Sequence, residues 1–239
     1  GWFFKKTDSD RTIILAHDYG KNRLQFEEDT INIVKDFLSK GYNVLTFDFR
    51  NSGKSGGSLT SMGVLEKDDL TAVINYTTRF HNSRHIVLMG FCTGATASIL
   101  AGAKAENVDA LILDSPFVNF NDYVNCRAQK WNLHIELFRY TIPQAVKILG
   151  NINPDDVSPI GAINDLSPRP VLFIHGEDDS SIPVSSSREL YSLYLKENTD
   201  NTLLWEVEGA GHLESYNKDP ETYMSRVFKF LDTVYSQNS

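Results

Sequence analysis

The sequence predicts an α/β fold in which a mostly parallel sheet is flanked by helices on both faces. Short Val/Ile/Leu runs alternate with amphipathic segments along the 239 residues. These runs are almost continuously apolar, which is typical of strands buried on both faces. Strand–helix alternation favours parallel pairing through right-handed crossovers. Ligands of such sheets bind beyond the carboxyl ends of the strands, so the loops after the strands are where chemistry is expected.

The predicted elements follow in order from an N-terminal apolar run, residues 1–5, that resembles part of a strand. Apolar residues at helical spacing, such as Ile31, Val34 and Phe37, identify the first helix, and Gly41 ends it. The remaining elements are assigned by the same periodicities. The predicted strands are 12–16, 42–49, 86–89, 108–113, 171–174 and 203–207, and the predicted helices are 26–40, 62–80, 95–105, 188–196 and 221–235.

One stretch, residues 115–168, carries many aromatic side chains and no strand pattern. We expect a single domain, 1–239, in which 115–168 is a helical cap insertion over the carboxyl edge of the sheet. Such a cap would line a mainly apolar pocket. The alternative is an extra packing layer with no ligand role. The predicted pocket residues are His17, Phe117, Trp131 and Phe138.

The composition of the chain excludes several classes of binding partner. A net charge of −8 with no basic run argues against nucleic acid and anionic membrane surfaces. No apolar run approaches the length of a membrane span. The two cysteines, too few for a disulfide framework, also lack metal-ligand spacing. We therefore expect a small-molecule substrate, no cofactor, no metal, and a monomer or homodimer. A reduced, cytoplasmic setting is favoured. The abrupt apolar start suggests a piece of a longer protein, so any upstream signal or anchor would lie outside this chain.

A second stretch, 48–55, ends like a phosphate-binding loop, Asn-Ser-Gly-Lys-Ser. That motif requires a glycine at position 48, where this chain has Asp48. No nucleotide is expected there. The loop around Arg50 is interpreted instead as a brace for the neighbouring strand.

The central motif is Leu-Met-Gly-Phe-Cys-Thr-Gly-Ala-Thr at 88–96, which follows a predicted strand and opens a predicted helix. That context and the spacing of Gly90, Cys92 and Gly94 are those of a nucleophile elbow, whose flanking positions must be small. The positive end of the helix beginning at Thr93 is expected to favour the Cys92 thiolate. The alternative is an inert buried cysteine in a glycine-rich turn.

Two further loops supply partners for Cys92. Asp178 and Asp179 follow the fifth strand, and His212, flanked by small residues, follows the last. The order nucleophile, acid, histidine is that of an α/β-hydrolase. Asp114, after the fourth strand, is an alternative acid. In the loop at 15–22, the backbone N–H of Tyr19 is expected to form an oxyanion hole with that of Thr93.

On these motifs the chain resembles the α/β-hydrolase superfamily from about residue 11 to the end. It is most similar to bacterial serine esterases and relatives of acyl-aminoacyl peptidases. The resemblance implies that Pro183 is the proline of an HGxxDxxxP pattern, which makes Asp179 the triad acid. The matching pieces are the His17 loop, 48–56, the Cys92 elbow, the Asp179 loop and 211–212.

Three positions depart from the family pattern. Asp18 replaces the usual glycine after His17, so we expect that loop to be stiffer or differently shaped. Asn51-Ser52 replaces a Gly-His pair, and Cys92 replaces serine. By resemblance, cysteine nucleophiles occur in this superfamily in dienelactone hydrolases and in bile-acid-CoA:amino-acid N-acyltransferases.

The predicted function is hydrolysis of ester-like or thioester bonds of an apolar acyl or aryl substrate through a Cys92–His212–Asp179 triad and a covalent acyl-enzyme. A thiolate leaves more readily than an alkoxide, so simple alkyl esters should be poor substrates. Two alternatives stay open: an acyltransferase that uses the same triad, and a catalytically degenerate fold that acts as a binding module.

Overall fold

The structure, a computed structural model, describes residues 1–130, 135–150, 153–196 and 201–236. Within these residues seven strands form one sheet, in the order β1-β3-β2-β4-β5-β6-β7. Only β1, at the edge, is antiparallel to its neighbour; all other pairs are parallel. The strands are β1 (Trp2–Phe4), β2 (Arg11–Ala16), β3 (Asn43–Thr46), β4 (His85–Phe91), β5 (Val108–Asp114), β6 (Val171–Gly176) and β7 (Leu203–Val207).

Helices cover both faces of the sheet. Successive strand residues point to opposite faces, and since both sets are apolar, both faces must be buried. Ile13 and Leu15 of β2 pack into one apolar core, and Ile14 and Ala16 into the other. This confirms the predicted α/β class and the burial of the strands on both faces. The helices are α1 (Asp29–Ser39), α2 (Glu66–His81), α3 (Thr93–Gly102), α4 (Phe120–Lys130), α5 (Ile135–Gly150), α6 (Pro159–Ala162), α7 (Ser185–Leu195), α8 (Ser215–Lys218) and α9 (Pro220–Ser236).

Boundaries differ from the sequence prediction where loop conformations intervene. Helix α2 begins at Glu66 rather than at 62, since Met62 and Gly63 have φ of 55° and 119°. Such left-handed backbone cannot continue into an α-helix. Helix α3 begins at Thr93, directly after Cys92, as the elbow motif predicts and two residues before the start that periodicity alone indicates. Strand β3 ends at Thr46, and the chain then leaves the sheet toward the loop at 48–55.

The segment between β5 and β6 holds α4, α5, α6 and two short 3₁₀ turns, Pro154–Asp156 and Ile163–Leu166. Its described residues contain no strand, in agreement with the sequence pattern. Ile142 and Val146 of α5 pack against the core on the α1 and α9 side. Nowhere in the described ranges is a helix both long and apolar enough to cross a membrane.

The sheet has a topological switch point between β2 and β4, since the chain continues from β2 to β3 on one side and returns to β4 on the other. In open α/β sheets this is where a crevice forms at the carboxyl ends of the strands. The elbow after β4 lies in that crevice. Cys92 has φ 46° and ψ −103°, a conformation that costs energy for a residue with a side chain.

The elbow requires glycine on both sides. A Cβ on Gly94 would lie 2.0 Å from the carbonyl oxygen of Ala16, and one on Gly90 would lie 2.5 Å from that of Gly94. These obstacles are backbone atoms, which cannot rotate away. The predicted need for small neighbours around Cys92 is therefore confirmed by the packing of α3 against β2.

We predict that Gly94→Ala lowers the free energy of unfolding by more than about 3 kcal/mol, because overpacking against side chains alone costs about 1–3 kcal/mol. The matched control is Gly56→Ala, where an added Cβ would meet nothing within 4 Å; it should change stability by less than about 0.5 kcal/mol. Urea unfolding followed by tryptophan fluorescence measures both. Equal stabilities of the two variants would contradict the packing described for the elbow.

Candidate active site

Strand register brings the loops after β2 and β4 together. Ala16 pairs with Gly90, so Asp18 and Cys92 each lie two residues past a matched pair. The Cys92 side chain is fully buried, and its N–H donates to the Asp114 carbonyl at 2.8 Å. The sulfur of Cys92 therefore sits at the switch point, beside the loop that follows β2.

His212 and Asp179 meet beside this elbow. Nδ1 of His212 lies 2.6 Å from Oδ2 of Asp179, and the His212 side chain keeps 16% exposure. Backbone N–H groups of Ser181 and Ile182 donate to Asp179 Oδ1, each at 2.8 Å. Burial raises the pKa of Asp179, but hydrogen bonds from His175 and His212 outweigh it, so the net shift is downward. Asp179 is thus a fixed carboxylate.

Asp114, the alternative acid, has other partners. It accepts hydrogen bonds from the hydroxyls of Ser115 and Tyr223, both at 2.9 Å. Burial raises the pKa of Asp114 to about 6. The carboxylate that the structure brings to His212 is Asp179. His175, to which the sequence reasoning gave no role of its own, lies near the same carboxylate oxygen as His212, with its Nε2 3.3 Å from Asp179 Oδ2.

Asp18 fills the space in which an oxyanion hole was expected. The Thr93 N–H donates to Asp18 Oδ1 at 3.2 Å, and Asp18 Oδ2 lies 3.9 Å from His212 Nε2. The Asp18 N–H is itself held by Gln25 Oε1 at 2.7 Å. The sequence marked Asp18 only as a departure from the family. Its register beside Cys92 is the signal that would have identified it as a site residue.

The charges around Cys92 overturn one expectation from the sequence. Burial and the negative charge of Asp18 raise the pKa of Cys92 to about 12, despite the helix that begins at Thr93. Burial lowers the pKa of His212, but the hydrogen bond to Asp179 and the nearby carboxylate of Asp18 outweigh this effect and raise the pKa to about 12. These shifts favour the thiol form of Cys92 and the protonated form of His212, in opposition to the thiolate that the sequence predicts.

His17 positions the oxyanion loop. The Phe49 N–H donates to its Nε2 at 3.0 Å, so Nδ1 carries the proton and donates to the Asp18 carbonyl at 2.7 Å. Burial is the main reason why the pKa of His17 is lowered, and the ring stays neutral. Both ring nitrogens are bonded to backbone, so neither is available to a substrate, and the lining of the pocket by His17 stays a prediction.

The loop at 48–55 supports the same region through Asp48. This carboxylate accepts from the side chain of Arg23 and from two backbone N–H groups, those of Arg23 at 2.7 Å and Lys54 at 2.8 Å. Gly53, at φ 54°, has its Cα so close to Asp48 that a Cβ would lie 2.3 Å from Oδ2. The loop is thus built around a buried carboxylate, as a structural brace.

The predicted pocket aromatics have different outcomes. Phe117 is 1% exposed and packs in the core against Tyr123, with ring centroids 5.0 Å apart, so it does not line an open cleft. Trp131 and the Phe138 side chain lie outside the described residues. Two residues of α4 also lie near Cys92: Tyr123, one of the aromatic residues of the predicted cap, and Arg127, which the sequence reasoning missed. The Arg127 guanidinium lies over the Tyr123 ring, 5.3 Å from its centroid.

A parallel sheet with a switch-point elbow, followed by an acid and a histidine after the next strands, defines an α/β-hydrolase. The family model Hydrolase_4, described as serine aminopeptidase S33, matches residues 7–160. The chain belongs to this hydrolase family and is an α/β-hydrolase enzyme.

Known relatives agree with that assignment. The uncharacterised protein YqkD of Bacillus subtilis is 34% identical over an alignment 246 residues long. The alignment covers 98% of this chain and 75% of YqkD. The lysophosphatidylserine lipase ABHD12 of Danio rerio is 26% identical over 198 residues, 80% of this chain and 50% of that protein. The structure of the Pyrococcus furiosus esterase Pf2001 superimposes with a TM-score of 0.77 at 27% identity, covering 94% and 82% of the two chains.

The burial and charge of Cys92 predict slow alkylation. In the unchanged protein at pH 7 to 8, iodoacetamide should label Cys126, which is partly exposed, faster than Cys92, which is fully buried. Asp18→Asn removes the adjacent charge and should raise the Cys92 rate by roughly tenfold or more. Mass spectrometry of the two cysteine peptides over time measures both rates. Faster labelling of Cys92 in the unchanged protein would refute the raised pKa.

The buried carboxylate of Asp48 is expected to make a contribution to stability that depends on pH. Burial raises its pKa, but hydrogen bonds from Arg23 and Lys54 lower it from 3.8 to about 2. A carboxyl whose pKa is depressed by folding stabilises the fold above its unfolded pKa, and this contribution is lost as pH falls through the folded pKa. Asp48→Asn should therefore cost roughly 1–3 kcal/mol at pH 7, and the difference should shrink between about pH 4 and pH 2.

Thermal unfolding of both proteins at pH 7, 4 and 3 tests this prediction. Asp155→Asn is the control, because Asp155 is exposed and its replacement should have no effect at any of these pH values. A stability difference between Asp48→Asn and the parent that does not change with pH would show that charge is not the cause.

Proposed function

We propose that this enzyme hydrolyses ester-like or thioester bonds of an apolar acyl or aryl substrate, with Cys92 as nucleophile, His212 as base and acid, and Asp179 as the orienting carboxylate. The observation that carries the proposal is the hydrogen bond from His212 Nδ1 to Asp179 at 2.6 Å, which leaves Nε2 on the side of Cys92. A histidine held by one nitrogen and free at the other has the geometry of a base in acyl transfer.

The reaction has two half-steps. Cys92 attacks the carbonyl carbon while its proton passes to His212 Nε2, and the leaving group departs with that proton, which leaves a thioester on Cys92. Water then attacks the thioester, again losing a proton to Nε2. The carboxylic acid product is released when the Cys92 sulfur leaves and takes the proton back from His212 Nε2. Backbone N–H groups of Thr93 and Tyr19 are proposed to hold the oxyanion in both half-steps.

The Asp18 side chain must move away before this chemistry can start. Its carboxylate accepts the hydrogen bond of the Thr93 N–H and raises the pKa of His212. When Asp18 leaves, the pKa of His212 falls, its Nε2 proton is lost to solvent, and the ring becomes a base. The same movement frees the Thr93 N–H for the substrate oxygen. Asp18 therefore acts as a gate whose position couples oxyanion binding to the activation of Cys92.

The sulfur restricts the substrates. From a tetrahedral intermediate on Cys92, the better leaving group departs first, and a thiolate leaves more readily than an alkyl alkoxide. Thioesters and aryl esters should therefore be turned over, and simple alkyl esters should mostly revert to substrate. The esterase and the lipase among the relatives support an acyl-ester class of substrate. Buried aromatic residues near the elbow, such as Tyr123, support an apolar acyl group.

The test measures kcat/KM on a nitrophenyl ester, a thioester and an ethyl ester of the same acyl chain. We expect turnover of the first two to exceed that of the third. Asp18→Gly should raise kcat/KM on the nitrophenyl ester by roughly 10²-fold, because one oxyanion donor is worth about 10²–10³-fold. Asp179→Asn in that background should lower it by roughly 10³–10⁴-fold.

Asp178→Asn is the matched control for Asp179→Asn, because Asp178 is the exposed neighbour in the same loop; it should leave the rates unchanged. Cys92→Ala should abolish turnover. Activity retained in Cys92→Ala would rule out the covalent mechanism. Adding a primary amine and finding the amide as main product would instead identify an acyltransferase.

A further inference from the structure

Three loops converge on one small volume at the switch point. The Cys92 sulfur, His212 Nε2 and an oxygen of Asp18 all lie within 4.8 Å of one another. Asp18 and Cys92 are buried, at 7% and 0% exposure. His212 Nε2 is also buried and has no hydrogen-bond partner, since Asp18 Oδ2, at 3.9 Å, is too far away. An unpartnered buried nitrogen that faces a sulfur and a carboxylate calls for an explanation.

Sulfur, imidazole nitrogen and carboxylate oxygen are the ligand types that bind Zn²⁺ in proteins, and three of them with an open fourth position form a common tetrahedral arrangement. Oxygen-seeking cations such as Mg²⁺ and Ca²⁺ do not favour a thiolate. The surrounding groups also fit a metal site. Metal-binding histidines usually donate their second ring N–H to a carboxylate, and His212 Nδ1 contacts Asp179 at 2.6 Å.

We propose that Asp18, Cys92 and His212 form a Zn²⁺ site, with Asp179 orienting His212. Binding replaces the thiol proton of Cys92 and the Nε2 proton of His212, and both are released to solvent. Two positive charges of the metal take the place of these two protons, so the net charge of the buried cluster does not change. The ion bonds to the sulfur and to Nε2, so a loaded site cannot carry out acyl transfer, and Zn²⁺ acts as a reversible inhibitor.

Metal binding is measured directly, on the full chain after treatment with reductant and chelator. We expect Zn²⁺ to bind in competition with a chromophoric chelator, and Co²⁺ to give the visible absorption of a tetrahedral site with a thiolate-to-cobalt band in the near ultraviolet. Cys92→Ser should remove that band, and Cys126→Ser should leave it unchanged. Asp18→Gly and His212→Ala should each weaken Zn²⁺ binding by roughly 10²-fold or more, and Asp179→Asn by roughly 10–100-fold.

The inference is overturned if Cys92→Ser and Cys126→Ser bind Zn²⁺ equally, or if Asp18→Gly keeps the parent affinity. Circular dichroism without metal identifies any variant that fails to fold; in that case the near-isosteric Cys92→Ser decides. Ester hydrolysis after chelation separates this inference from the proposed function. A protein that hydrolyses but gives no cobalt–thiolate band refutes only the zinc site. One that gives the band but has no Cys92-dependent turnover refutes only the acyl transfer.

Discussion

The close contact between α3 and the end of β2 is the constraint on which the rest of the site depends. Gly94 approaches the Ala16 carbonyl so closely that no side chain fits between them. This contact sets the position of the Cys92 elbow relative to the loop that follows β2. It also forces the unusual backbone of Cys92, which the buried strands on either side hold in place. A looser elbow would move both Cys92 and the Thr93 N–H away from Asp18.

Because of that contact, interactions between the charged side chains dominate the chemistry of the site. Two carboxylates, Asp18 and Asp179, lie on opposite sides of the His212 ring. In a buried site such charges interact strongly, because water does not screen them. They hold a proton on His212, while Asp18 opposes ionisation of Cys92. The acid–base state of the cluster thus depends on where one carboxylate lies, and both the proposed gate and the proposed metal site follow from that position.

Asp18 is held by its own backbone as much as by its carboxylate. Its N–H is bonded to Gln25 and its carbonyl to His17, whose other nitrogen is bonded to Phe49. The next loop is closed around Asp48 by Arg23 and by backbone donors. Because these polar groups are buried and satisfied, shifting the loop would cost several hydrogen bonds. Rotation of the Asp18 side chain would break far fewer hydrogen bonds, so the movement that we propose for catalysis is local.

The sequence by itself determined the α/β class, the order of its elements and the elbow, because these depend on local periodicity and on glycine spacing around Cys92. It also marked His212, since loops after parallel strands meet at one edge, and the resemblance to the α/β-hydrolases singled out Asp179 from its neighbours. It could not determine what Asp18 does, since that depends on the register of Ala16 with Gly90 and on side-chain packing between loops that lie far apart in the chain. Tertiary structure alone decided that Asp18 accepts a hydrogen bond from the Thr93 N–H and that its charge opposes ionisation of Cys92. It also decided that three residues without metal-binding spacing share one buried volume.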